Sequence, residues 1–302
     1  MKSALTKFAF GLVQLLSRMP LAVHYFLSDW LLFPLVFYII RYRRELVVRQ
    51  LTDSFPEKNA EEIKQIARNF YHFFCDYVVE TIKLETMSND EIQRRLKFEG
   101  IEEMHQQLDK DGLQFCFAYL GHYCNWEWMA SFPLWLHSPW VGAQIYHPLH
   151  NKEADEHFLR EREKFGGRCI PMKQTLRHII TAKKQSEHLV IGFIADQEPK
   201  SQALHHWTQF LNRQTAFLVG SERIARQVGA AFYYIRVTRP QRGYYRAEVL
   251  PMNIPFDKMD EFAVVDKYAS MLEEQIREQP ELWLWTHNRW KHSYEQWVSQ
   301  HQ

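Results

Sequence analysis

LQFCFAYL at residues 113–120 and HLVIGFIA at residues 188–195 are the two stretches that decide the fold of this 302-residue chain. Both are short and almost wholly apolar. The first stops at Gly121 and the second at Asp196. An apolar run of this length without alternation suits a strand buried on both faces, as in the middle of a parallel sheet. Working outward, further strands are expected at 140–146, 168–171, 230–237 and 244–250. Helices are expected at 126–136, 154–165, 175–184, 217–228 and 268–277. Upstream, residues 42–86 read as helical: Ile63, Ile66, Ala67, Phe70 and Phe74 form an apolar stripe. Ser54-Phe55-Pro56-Glu57 is a turn ahead of that stripe. Strands alternating with helices predict an α/β fold, a mixed and mostly parallel sheet flanked by helices. Such sheets bind ligands beyond the C-terminal ends of their strands. The loops after residues 120 and 195 are therefore the first places to look for function.

The first of these loops reads Gly121-His122-Tyr123-Cys124-Asn125-Trp126-Glu127. Gly121 permits a tight exit from the strand, and Asn125 is placed to cap a following helix. Two residues five apart on one helix point about 140° away from each other. His122 and Glu127 can thus meet only if His122 lies in the turn before the helix. A histidine held by a carboxylate has a fixed tautomer and raised basicity. Such a base can take the proton of an alcohol while the alcohol attacks a thioester. The bland alternative is a structural His–Glu hydrogen bond.

Leu21–Ile40, LAVHYFLSDWLLFPLVFYII, has about the ~20 residues that span a bilayer, but His24, Asp29 and Pro34 interrupt it. Lys2 and Lys7 precede it; the denser group Arg41, Arg43, Arg44 and Arg49 follows. The positive-inside rule then puts the body of the protein on the cytoplasmic side. A secretory signal fits poorly, because the stretch is long and no small-residue cleavage site follows. Spanning, lying in the interface and packing as helices on the protein's own core all remain open. The expected organisation is an N-terminal membrane anchor over 1–45 and one domain over 46–302.

A net charge of +1 provides no global basic field for nucleic acid. Aromatic residues make up 15% of the chain, a composition that suits either a large core or a membrane interface. Cys75, Cys116, Cys124 and Cys169 show no CxxC or zinc spacing and read as reduced thiols. His205 and His206 lack a third ligand at metal spacing, so no metal is expected.

The block GHYCNWE resembles the Gly-His-x-x-Asn-Trp-Glu block of the late lipid A acyltransferases, the lauroyl/myristoyl transferase family. That family belongs to the wider glycerolipid acyltransferase superfamily, marked by His-x4-Asp/Glu. The resemblance covers nearly the whole chain. RELVVRQLTDSFP (44–56), Ile194-Ala195-Asp196-Gln197, FLNRQTAFLVG (210–220) and PELWLWTHNRWK (280–291) each resemble a further block, in the right order. Cys124 departs from it, standing where a Gly is usual, and so does His147, standing where an Arg is frequent. The resemblance implies an O-acyltransferase with His122 and Glu127 as catalytic pair. It implies an acyl thioester of acyl carrier protein or coenzyme A as co-substrate, a lipid A precursor as acceptor, and no metal or bound cofactor. It also implies a place at the cytoplasmic face of the bacterial inner membrane.

Three residues are candidates for binding substrate or donor. Arg168, after Gly166-Gly167, could fork onto a phosphate or the phosphopantetheine arm, or be an ordinary surface arginine. Asp196 ends the second buried run, and Asn125 lies in the loop of His122. Gln197 and Glu198 are weaker candidates. His287 and Arg289 could contact lipid, while Trp283 and Trp285 read as core. Arg41, Arg43 and Arg44 could hold anionic headgroups. Two rival readings stand beside the first. One keeps the chemistry but takes a lysophospholipid or an amino-acid-based lipid as acceptor. The other is a catalytically inactive, membrane-bound lipid-binding protein.

Overall fold

The computed structural model describes residues 11–149, 151–258 and 260–301; Lys2 and Lys7 lie outside the described residues. From residue 21 on, in chain order, the α-helices and the apolar helix that leads them are α1 (Leu21–Ile39), α2 (Arg44–Ser54), α3 (Ala60–Leu84), α4 (Asn89–Arg95) and α5 (Ile101–Lys110). Then follow α6 (Lys152–Glu163), α7 (Thr175–Lys184), α8 (Gly220–Val228), α9 (Ala263–Glu278) and α10 (Tyr294–His301). The strands are β1 (Leu96–Glu99), β2 (Phe115–Leu120), β3 (Trp140–Tyr146), β4 (Arg168–Pro171), β5 (His188–Ile194), β6 (Trp207–Phe210), β7 (Arg213–Ala216), β8 (Ala231–Gln241) and β9 (Tyr244–Pro251).

Seven strands form one sheet in the order β1-β9-β8-β2-β5-β3-β4. Its neighbours pair in parallel except for the hairpin β8–β9. This is the expected mixed, mostly parallel sheet with helices about it. The run LQFCFAYL supplies β2, buried at every position, and HLVIGFIA supplies its direct neighbour β5. A strand covered on both faces has no solvated side on which a polar residue could sit, which is why neither run alternates.

Local chemistry explains the helix boundaries. Asn59 caps α3: its side chain accepts from the Glu61 and Glu62 amides, and the Glu62 carboxylate accepts from the Asn59 amide. Along α3 the buried Ile63, Ala67, Phe70 and Tyr71 continue the expected stripe. The segment after Glu127 is not the α-helix expected over 126–136. It is a 3-10 helix, Trp128–Trp135, with Pro133 inside it. Proline lacks the amide an α-helix needs and its ring collides with the preceding turn, so a short, tight helix takes its place.

The sequence reading missed β1 and the hairpin β6–β7. These strands have four residues each and carry no long apolar run. The hairpin turns at Leu211 and Asn212, both at positive φ (50° and 64°). Two such residues give a turn whose twist matches a two-residue hairpin, and Leu-Asn is not a usual sequence for it.

Candidate active site

The site follows from strand register. Leu120 of β2 pairs with Ile194 of β5. Two residues further along each chain stand His122 and Asp196, and their side chains meet: His122 Nδ1 lies 2.6 Å from Asp196 Oδ1. The other oxygen, Oδ2, accepts from the His122 amide at 2.8 Å and from the Trp283 indole N–H at 2.7 Å. Gly121 makes room for this cluster. A Cβ there would stand 2.6 Å from Leu272 Cδ1 and 3.4 Å from Asp196 Oδ2.

The Asp196 side chain is 2% exposed and that of His122 is 16% exposed. Burial pushes the Asp196 carboxyl up, but the charge of His122 and the hydrogen bonds from His122 and Trp283 outweigh it, and the group lies below the ordinary aspartate value. A carboxylate bonded to Nδ1 keeps the proton there and leaves Nε2 with a free lone pair. The Gln197 side-chain amide sits 3.1 Å from that nitrogen and donates to it. The ring edge also meets Trp126, whose centroid is 5.2 Å away.

Glu127 is elsewhere. Both of its carboxylate oxygens lie 3.4 Å from Arg162 Nη2, on α6. The expected His122–Glu127 contact is therefore corrected: the partner of His122 is Asp196, and the partner of Glu127 is Arg162. Asp196 was named as a binding candidate rather than as the orienter of His122. Arg162 carried no signal in a helix full of charges, and Trp283 read as core.

The loop between His122 and Glu127 is tied down by the segment 282–284. The Cys124 amide donates to the Leu282 carbonyl, and the Leu284 amide to the His122 carbonyl. Tyr123 thereby bridges to Trp283 as a one-residue antiparallel pair. Cys124 has φ +52° and is fully buried, with its Sγ 3.5 Å from the Val237 carbonyl. A left-handed backbone is the natural place for glycine, so a cysteine is strained there. Burial pushes the Cys124 thiol well up, the reverse of what a nucleophile needs.

Beside this loop an apolar slot of about 80 Å³ opens under the sheet. Small residues form it: Ala118 and Gly192 on β2 and β5, Gly142 and Ala143 on β3, and Ala130 on the 3-10 helix. Trp126 lines one part of the slot and Arg168 another.

The family profile described as bacterial lipid A biosynthesis acyltransferase matches residues 2–292. The chain belongs to that family. It is an O-acyltransferase of lipid A biosynthesis. No curated protein matches the chain.

The remaining candidates of this acyltransferase can now be placed. Asn125 is fully buried: its Nδ2 donates to Glu80 Oε2 at 2.8 Å, and its Oδ1 accepts from the Trp128 amide at 3.3 Å. These bonds hold it inside the loop at the start of the 3-10 helix. Glu80 is itself buried and also accepts from the hydroxyls of Tyr25 and Tyr245. Arg168 begins β4 and pairs with Glu187 at 2.5 Å, with about half of its side chain in solvent. Gln197 holds the open nitrogen of His122, and Glu198 holds the buried Arg289 at 2.7 Å.

Arg289 of the acyltransferase is not a surface group. It is fully buried, and Glu198 and the Ala216 carbonyl accept from it. The Gln50 side chain donates to the carbonyls of Trp285 and His287 and accepts from the Arg289 amide, so the tail is bolted to α2. His147 is exposed, past the end of β3. His206 pairs with Asp266 at 2.6 Å. Among the described residues, Glu102, His105 and His137 bring three ligand atoms within 4.8 Å of one another. They lie near Trp140, at the start of β3, the end of the sheet opposite His122.

Proposed function

We propose that this acyltransferase moves a fatty acyl chain from a thioester of acyl carrier protein or coenzyme A to a hydroxyl of a lipid A precursor. The base is His122, with Asp196 and Trp283 as its supports. The observation that carries this reading is the His122–Asp196 bond at the ends of two neighbouring parallel strands, beside an apolar slot. The lone pair of His122 Nε2 takes the hydroxyl proton as the acceptor oxygen bonds to the thioester carbon. The acceptor hydroxyl takes the place now filled by the Gln197 amide. When the tetrahedral intermediate collapses, the C–S bond breaks and the thiolate recovers the proton from Nε2. Asp196, ionised and buried, stabilises the imidazolium in between. Transfer is direct, since the thiol in the loop, Cys124, is buried and its ionisation suppressed.

Glu127 is the partner of Arg162, whose guanidinium is suited to a phosphate of the acceptor. Arg168 stands at the rim of the slot, where a phosphopantetheine arm would enter. The slot takes the acyl chain. The helix α1, largely apolar and little buried, supports membrane attachment; the denser arginine group after it is the ground for a body on the cytoplasmic side of the inner membrane.

The test is a purified-enzyme assay with both thioesters and a tetra-acylated, Kdo-bearing lipid A precursor, read by product mass. A gain of one acyl chain in the wild type, lost in His122→Ala and Asp196→Asn, is the expected result. Acylation of a lysophospholipid or an amino-acid-based lipid instead would move the acceptor. Folded protein that acylates none of them would point to a lipid-binding role without catalysis.

A further inference from the structure

The polar face of α1 is fastened to the protein. Ser28 Oγ donates to Asp76 Oδ1 at 2.8 Å, and Asp29 pairs with Arg242 at 2.7 Å. Leu21, His24, Phe33 and Phe37 on the same side are buried. The opposite side is bare: Phe26, Trp30, Leu31, Ile39 and Ile40 are all more than half exposed. A helix of this length could cross a bilayer by length alone. Crossing would carry Asp29, Arg242 and Asp76, bonded to it, into hydrocarbon, at a cost of several kcal/mol for each ion. Lying flat keeps those groups on the protein side of the helix, away from hydrocarbon, and buries only the bare side. Immediately after it, Arg41, Arg43, Arg44 and Arg49 line a mainly basic hollow, of a charge that suits anionic headgroups.

From this end of α1 a row of rings leads to the base. Tyr42 stacks on Phe74 at 6.2 Å, Phe74 on Tyr77 at 6.4 Å and Tyr77 on Trp126 at 4.1 Å. Trp126 then meets His122 edge-on at 5.2 Å. Tyr42 is exposed, Phe74 and Tyr77 are half-buried and Trp126 is buried, so the row runs inward from an open edge along α3. Phe74 and Tyr77 are three apart on that helix and fall on one side of it. Trp126 also lines the slot, so row and slot meet beside His122.

We propose that α1 lies flat on an anionic bilayer and that the acyl chains of the lipid acceptor reach His122 along Tyr42, Phe74, Tyr77 and Trp126. This rests on the acyl-transfer reading for the role of His122. The acceptor and the donor chain thus approach the base from two sides, one over the rings and one inside the slot. Each ring offers apolar area at little entropic cost, and their continuity with the bare side of α1 lets a chain leave the bilayer without meeting water.

The test uses the full chain on vesicles of phosphatidylethanolamine and phosphatidylglycerol doped with a phospholipid bearing a mid-chain diazirine. After irradiation, mass spectrometry maps the adducts. Adducts on the 26–40 segment together with Tyr42, Phe74 or Tyr77 are expected. Adducts confined to 26–40 would overturn the path, and none at all would overturn the membrane-lying face. In parallel, Phe74→Gln should raise KM for bilayer-embedded acceptor about tenfold while the KM for the thioester stays within twofold. An unchanged acceptor KM in a folded variant would overturn the path. A wild type that acylates nothing would sink the functional reading instead, and the adduct map would still decide this one.

Discussion

His122 and Asp196 stand at equal distances beyond the paired residues Leu120 and Ile194, so the parallel register of β2 and β5 delivers a base and its carboxylate to one point. The catalytic arrangement proposed here is a property of two adjacent strand ends, with the helix that follows only one of them in a secondary part.

If this relationship orients the base, variants should fall into two groups. Asp196→Asn should resemble His122→Ala, with kcat lowered on the order of 10³- to 10⁴-fold and little change in KM. Glu127→Gln should resemble Arg162→Gln, because each breaks the same pair, and the loss should appear in the acceptor KM as well. Steady-state kinetics on the four variants and a Glu127/Arg162 double-mutant cycle check this. Glu127→Gln grouping with His122→Ala while Arg162→Gln has no effect would restore Glu127 as the orienter.

Trp283→Phe removes one of the three donors to Asp196 while filling nearly the same space. A hydrogen bond to a charged group is worth about 1.5–3 kcal/mol. The expected result is a kcat loss of about ten- to a hundredfold, with the melting temperature lowered and the secondary structure kept. Wild-type kcat in a correctly folded Trp283→Phe would show that the indole serves the core alone.

Cys124 occupies a left-handed backbone position in the site loop, with φ +52°. Cys124→Val should destabilise the protein by about 2 kcal/mol or more, because a β-branched side chain is poorly accommodated there. Cys124→Gly should stay within about 1 kcal/mol of wild type, since relief of strain offsets the buried side chain that is lost. It should retain activity, as Cys124 donates nothing to the chemistry. Urea unfolding monitored by circular dichroism distinguishes these outcomes, and equal stability of the two variants would refute the strain argument.

The slot carries Gly192 where a larger side chain would stand in open space: a Cβ there meets only the Ala143 carbonyl oxygen, at 3.7 Å. Gly192→Ile should shift the preferred donor to a shorter acyl chain, with kcat/KM for the longest accepted chain down about tenfold and short chains spared. Competition between thioesters of different length, read by product mass, measures this. A uniform loss across chain lengths would place the acyl chain elsewhere.

Burial, together with the charge of Arg289, pushes the His287 ring down to about 4. Its Nε2 accepts from the Glu198 amide at 3.1 Å, a bond that protonation would break. Between pH 6.5 and about 4 the unfolded chain binds a proton at this residue that the folded chain does not. Stability from this group is therefore whole above pH 6.5, falls as the pH drops to about 4, and is then level. At this partly exposed position the loss is on the order of 1–2 kcal/mol after screening. His287→Gln should flatten that part of the stability–pH curve, measured by urea unfolding at several pH values; a curve parallel to wild type would refute it.

Much of this protein was legible in its sequence because the relevant forces are local. The unbroken apolarity of LQFCFAYL and HLVIGFIA demanded strands buried on both faces. The stripe Ile63–Phe70 demanded a helix with one buried side, whereas the helix expected after Glu127 took 3-10 form around Pro133. The place of the site, past residues 120 and 195, followed from the strands. What joins those places did not. Whether β2 lies beside β5, and in which register, depends on packing between segments about seventy residues apart. So the choice of Asp196 over Glu127 as the partner of His122 belonged to the tertiary structure. So did the indole of Trp283 reaching back 87 residues, and the pairing of Glu127 with an arginine on α6. Periodicity states which side of an element is buried. It carries no information on what that side is buried against, and hydrogen bonds of about 2.6–2.8 Å exist only once that is decided.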